Sequence, residues 1–193
     1  MKELYPSFAP PEKWRNEDQS RKLAEEEWRL LRQKILARNN FTCAYCGYSS
    51  EKYQIVDHIN GDPEDNDDIN LQVICQMCNL IKHSGQGCVV QGIVDLYKES
   101  KYGQNDIVRI TRERRDNGAS DEEVIAFLGL KFVALFKMDR NYLKKLYGFV
   151  TSRRSQSQSD MYERWREYHS RNLRGKSLEK QKETNTALQE WLR

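Results

Sequence analysis

Two Cys-x-x-Cys pairs, Cys43/Cys46 and Cys75/Cys78, separated by 28 residues, constrain this chain more than any other feature. Two such knuckles supply the four thiolates that tetrahedral structural zinc takes, so residues 43 and 78 must meet whatever the segment between them does. "TCAYCGY" ends in a glycine that lets backbone N–H groups turn toward sulfur, and "CQMCN" enters a helix. A redox Cys-x-x-Cys would use one pair in a strand–helix setting, and a reducing compartment argues against disulfides. Cys88 lies outside the pattern and reads as a buried, inert thiol.

Around the knuckles the hydrophobic spacing gives a coarse plan. "SRKLAEEEWRLLRQKILAR", residues 20–38, places Leu23, Trp28, Leu31 and Ile35 on one helical face. "YQIVDHI" is β-branched and aromatic, and the turn signal "NGDP" stops it. "INLQVIC" reads as a second short strand or an irregular approach to the metal, and a helix runs from Cys78 through "NLIKH" to about Gly85. The centre is therefore a ββα unit pinned at its base by zinc. Further on, "GCVVQGIVDLY" reads as a helix continuing the core. Ser120 and Glu123 form a capping box ahead of "VIAFLGLKFVALF", which with "MDRNYLKKLYGFV" would make a helical hairpin. "TSRRSQSQSD" is a polar linker, and Met161, Trp165, Tyr168, Leu188, Trp191 and Leu192 mark later helices that need a partner surface, the body of the protein or another chain.

This plan divides the chain into an arm and helix (1–40), a zinc-knuckle core (41–100), a helical region (101–152) and a linker with C-terminal helices (153–193). The class is α+β, with a mostly α-helical C-terminal half. A length of 193 residues with 38% hydrophobic and 32% charged residues fits a solvated protein with one sizeable core. No apolar run approaches the roughly 20 residues that cross a bilayer, and "MKELYPSFAPPEKW" has no secretory h-region, so the expectation is a cytoplasmic protein without membrane partners.

Charge is unevenly shared. Residues 1–97 carry 11 Lys and Arg against 15 Asp and Glu, whereas residues 98–193 carry 21 against 14. A polyanion would be gripped by the second half, with Arg112, Arg114, Arg115, Lys144, Lys145, Arg153 and Arg154 as candidates. The acidic run Asp62, Asp65, Asp67 and Asp68 reads as a solvated loop.

The stretch between the knuckles offers a second cation site. Zinc at the base sets the strand bearing Asp57 beside the helix bearing Asn79 and His83, which are i and i+4 and share a face. A carboxylate, an amide carbonyl and an imidazole suit Mg²⁺, Mn²⁺ or a later first-row metal with open positions. His58 comes directly after Asp57, so a bulge or a strand end is needed to bring both to one place.

"DH", then "NL", then "CxxCN" with a histidine four residues on resembles the HNH nucleases of the ββα-metal fold in their zinc-knuckle form, over about residues 40–85. The resemblance implies a DNA endonuclease or nickase acting on duplex DNA. In it His58 is the general base, Asp57, Asn79 and His83 hold Mg²⁺ or Mn²⁺, Asn70 braces the loop that orients His58, and Lys82 touches phosphate. The family's last letter is often histidine, and the Asn79 here shifts the preference toward Mg²⁺. From the N-terminal helix and "TCAYCGY" to "GQNDIVRITR", the layout is also similar, more distantly, to the small zinc-containing component of the Dot/Icm type IV secretion coupling complex. That likeness implies an inactive adaptor with a protein partner. Asp57, His58, Asn70 and Asn79 are all present, which places the enzyme first.

Overall fold

The computed structural model describes residues 1–8, 25–85, 89 and 92–152. Five α-helices and five strands are interspersed along them, so the α+β class holds. Helix α1 (Glu25–Arg38) precedes a hairpin of β1 (Gln54–His58) and β2 (Leu71–Cys75), and α2 (Gln76–Lys82) continues directly from β2. Strand β3 (Val94–Glu99), helices α3 (Gln104–Asp116) and α4 (Asp121–Leu128), strand β4 (Lys131–Val133), the single turn α5 (Arg140–Leu143) and strand β5 (Tyr147–Val150) complete the order.

The hairpin is antiparallel and regular, with Gln54 opposite Cys75, Asp57 opposite Gln72 and His58 opposite Leu71. Successive side chains point to opposite faces of a strand, so the register sorts the hairpin into two sides. Val56, Leu71 and Val73 pack with Ile35 and Leu36 of α1, joined by Trp28 and Leu31. The expected face of α1 is thus used, apart from Leu23, which lies outside the described residues. Ile55 and Ile74 face the other way, into the main core, where Ile81 of α2, the four cysteines and the second sheet meet.

That second sheet corrects the helical reading of the later chain. Its strands run in the order β4-β3-β5, all antiparallel. The end of "GCVVQGIVDLY" is strand β3 rather than helix. Helix α4 starts at the predicted box, in which the Ser120 side chain accepts from Glu123 N and Glu123 accepts from Ser120 N. It stops at Gly129, whose φ of 63° suits glycine in the left-handed region, and the chain turns into β4 instead of a second helix. "MDRNYLKKLYGFV" contributes the short α5 and then β5 in place of a hairpin partner. Strand β5 lies close on α2: a Cβ at Gly148 would stand 3.3 Å from Ile81 side-chain carbons. The zinc-knuckle half and the later half therefore share one core.

The N-terminal residues belong to that core. Leu4 is 3% exposed, Lys2 N donates to Ala44 O, and Asn105 of α3 bonds Leu4 N, Lys2 O and Tyr45 O. No helix among the described residues is long and apolar enough to cross a membrane.

Candidate active site and metal centre

The four cysteines converge as their spacing requires. The Sγ atoms of Cys43, Cys46, Cys75 and Cys78 all lie within 4.8 Å of one another, and all four residues are buried. Gly47 closes the first knuckle with φ 74° and donates its N–H to Cys43 O at 3.0 Å. Crowding divides the thiols: the neighbouring cysteines, Cys43 foremost, pull Cys46 far down and push Cys78 far up, and Cys46 Sγ lies 3.6 Å from Cys75 Sγ. Four buried sulfurs at this separation match the donor set that a tetrahedral zinc ion would take. Cys88 lies outside the described residues.

Further along the hairpin, three positions from the Gln54–Cys75 pair, β1 presents Asp57 to α2. Its carboxylate is buried and surrounded by donors: Lys82 Nζ at 2.5 Å and Gln72 Nε2 at 2.8 Å from Oδ2, and His83 Nε2 at 3.2 Å from Oδ1. Burial opposes the charge of Asp57, but the His83 hydrogen bond, the Lys82 ammonium and the Gln72 amide together hold its pKa below the ordinary carboxylate range. Gln72 is itself placed by Lys2 Nζ and Tyr45 Oη. Lys82 also donates to His58 O at 2.7 Å, which fastens the end of β1 to α2. His83 Nδ1 is buried with no hydrogen-bond partner among the described residues.

His58 is on the other side of the hairpin. β1 contains no bulge, so Asp57 and His58 obey the alternation, and the imidazole stacks on Trp28 of α1 with ring centroids 6.2 Å apart and planes at 15°. Its Nε2 pairs with Asn66 Oδ1 at 3.1 Å. Asn66 lies in the acidic loop, whose composition alone suggests no more than solvated filler. The loop is in fact tied by its own side chains: Asn60 Nδ2 to Asp65 Oδ2, and Asp62 and Asp65 to the backbone N–H groups of Glu64 and Asp67.

Asn70 closes that loop. Its carbonyl accepts from Ile59 N, its Oδ1 from Asn60 N, and its Nδ2 donates to Asp65 O and Asn60 Oδ1. The two residues after His58 are thereby tied to Asn70. Asn79 stands one turn before His83, and its carbonyl accepts His83 N at 2.9 Å, but its side chain makes no hydrogen bond among the described residues. Of the predicted ion-binding set, the structure brings Asp57 and His83 into contact and leaves Asn79 apart from that contact.

The predicted phosphate contacts are largely occupied elsewhere. The side chain of Lys82 is 14% exposed and committed to Asp57. The Arg112 guanidinium lies against sulfur, 3.1 Å from Cys75 Sγ and 3.6 Å from Cys46 Sγ, and 3.8 Å over the Tyr48 ring. Arg115 pairs with Asp121 and donates to Val150 O, and Arg114 lies over the Phe127 ring. Charge counting along a helix could not reveal these inward uses, because each partner is at least six residues away in sequence. Lys144 and Lys145 are exposed, and Arg153 and Arg154 lie outside the described residues.

Hairpin, cysteine cluster and helix coincide with a recognised segment. Residues 43–85 match the HNH endonuclease family model. The HNH segment is under a quarter of the chain and spans the site just described. A second likeness is to "Type 4 apparatus protein DotN" of Legionella pneumophila subsp. pneumophila (strain Philadelphia 1), 33% identical over 71 residues. It covers 37% of this chain and 32% of that protein, so the chain spans about a third of the length of the curated relative it matches.

Proposed function

We propose that the HNH segment is a metal-dependent nuclease that hydrolyses DNA phosphodiester bonds at the loop end of the β1–β2 hairpin. The observation that carries this reading is the pairing of Asp57 Oδ1 with His83 Nε2 at 3.2 Å, beside a turn that Asn70 locks immediately after His58. Lys82 and Gln72 donate to Oδ2 alone, so Oδ1 and the His83 imidazole remain a hard-and-borderline donor pair suited to a divalent cation. Mg²⁺ or Mn²⁺ held there by Asp57 and His83, with the Asn79 amide having to turn toward that pair to join them, would stabilise charge on the phosphate and the leaving oxygen. His58 acts as general base on the attacking water. With Nε2–H given to Asn66 Oδ1, the lone pair for that work is on Nδ1, and the Trp28 ring limits rotation of the imidazole. Since Asp57 and His58 occupy opposite faces, the scissile phosphate must straddle the strand end at Ile59 and Asn60.

A second reading, a zinc-stabilised HNH-fold adaptor in a type IV secretion assembly, is favoured by the burial of the Lys82–Asp57 pair, which gives Asp57 a structural use independent of catalysis. It also draws on the likeness to DotN.

Supercoiled plasmid incubated with Mg²⁺ or Mn²⁺ separates the two. The nuclease reading expects nicking or cutting that His58→Ala abolishes while zinc content and circular dichroism stay unchanged. Intact plasmid with a folded, zinc-loaded native chain rejects it and leaves the adaptor.

A further inference from the structure

We propose that Arg112 is the charge-compensating residue of the cysteine cage, tuning how tightly zinc is held and bolting α3 to the metal module. A zinc ion with four thiolates carries a net charge of −2, and here it would sit among residues that are at most 5% exposed: Cys43 1%, Cys46 5%, Cys75 2% and Cys78 0%. Burying such a charge without compensation is expensive, so donors or a cation must face the sulfurs. Arg112 meets that need with a fork. Nη2 donates to Cys75 Sγ at 3.1 Å and Nη1 to Cys46 Sγ at 3.6 Å, one sulfur from each knuckle. The guanidinium rests on the Tyr48 ring, two residues beyond Cys46, which fixes its plane. No other Lys or Arg contacts these sulfurs among the described residues. An ammonium in the same place would be a point charge without the two-pronged geometry.

The position of Arg112 adds a consequence. It stands on α3, which also holds the N-terminal residues through Asn105 and β5 through Gln104 Nε2 to Gly148 O. The guanidinium is therefore a direct polar link between the cage and the later half of the chain, and zinc loading should favour the docked α3. The inference depends on the cage taking zinc and is independent of the nuclease reading.

The test uses the full chain with Arg112→Met, which keeps much of the stem and removes the charge, and Arg112→Lys, which keeps charge and loses the fork. Outer-sphere partners of metal ligands typically change metal affinity about 10- to 100-fold. Competition with the chromophoric chelator 4-(2-pyridylazo)resorcinol should show zinc held about 10- to 100-fold more weakly in the Met variant and to an intermediate degree in the Lys variant. In the cobalt-substituted proteins the sulfur-to-cobalt charge-transfer band should move to lower energy in both, because thiolates freed of an N–H donor give up electrons more easily. Should the Met variant not fold, the Lys variant decides on both readouts. Zinc affinity within twofold of native together with an unmoved cobalt band overturns the proposal. A native chain that binds neither zinc nor cobalt overturns it by removing the cage, whereas intact plasmid in the cleavage assay does not affect it.

Discussion

The ammonium of Lys82 lies 2.5 Å from Oδ2 of Asp57, with only 14% and 4% of the two side chains exposed. A pair this buried is worth little against a well-packed apolar alternative but is costly to break from one side. Lys82→Met should destabilise the fold by about 2–4 kcal/mol, the lower part of the range reflecting the bonds that Gln72 and His83 still give the carboxylate. In a double-mutant cycle with Asp57→Asn, the coupling should exceed about 1 kcal/mol. Urea denaturation of the four proteins reads it, and additive effects would show that the two groups are not paired.

Asn70 makes four hydrogen bonds across the loop while only 8% exposed. Asn70→Ala strands Asn60 N and Asp65 O and should lower stability by about 2–3 kcal/mol. Asn70→Asp keeps the acceptor for Asn60 N but loses the donor, so its stability should fall between those of the native chain and the Ala variant. Hydrogen exchange at Ile59 and Asn60 is the local readout, and unchanged protection there would refute the bracing role.

Asp121 supplies the pH dependence. Burial opposes its charge, but the Ser152 backbone N–H and the Arg115 guanidinium outweigh this and hold its pKa below the ordinary carboxylate value. A depressed folded pKa contributes stability that is fully present above the unfolded value of about 4 and is lost as pH falls through the folded value. The melting temperature of the native chain should drop more steeply below pH 4 than that of Asp121→Asn. Parallel acid limbs would contradict the assignment.

Metal removal tests the base of the fold. A structural tetrathiolate site contributes on the order of 10 kcal/mol of folding free energy. One zinc per chain is expected by atomic absorption, and chelation under reducing conditions should lower the melting temperature sharply and expose the apolar faces of β2 and α2. Cys75→Ser should do the same, and a melt indifferent to both would exclude a structural metal.

How far the sequence could be read depended on whether the information was local. The knuckles, the hairpin and the Ser120 box are each written within a few tens of residues, and their geometry agrees. Strand β3 is hidden because "GIVDLY" is a short apolar run with no period to separate helix from strand, and its partner β5 is some 50 residues away. Arg112 and Lys82 read as surface cations because composition does not say which way a side chain turns. Lys82 meets Asp57 only once α2 is laid against β1, and Arg112 meets sulfur only once α3 is laid against the knuckles. The Asn66 contact to His58 sits within a run of acids whose number draws the eye from the neutral residue among them.

The unbulged pleat of β1 leaves an asymmetric tolerance to length. Residues could be added between Gly61 and Glu64 with little effect on the rest of the hairpin, since both strands would keep their partners. Losing one residue inside Gln54–His58 would exchange the tenants of the two sides, driving a carboxylate onto the tryptophan platform and an imidazole against the ammonium. Natural variants of this ribbon should therefore differ in the reach of the loop and never in the count of the strand.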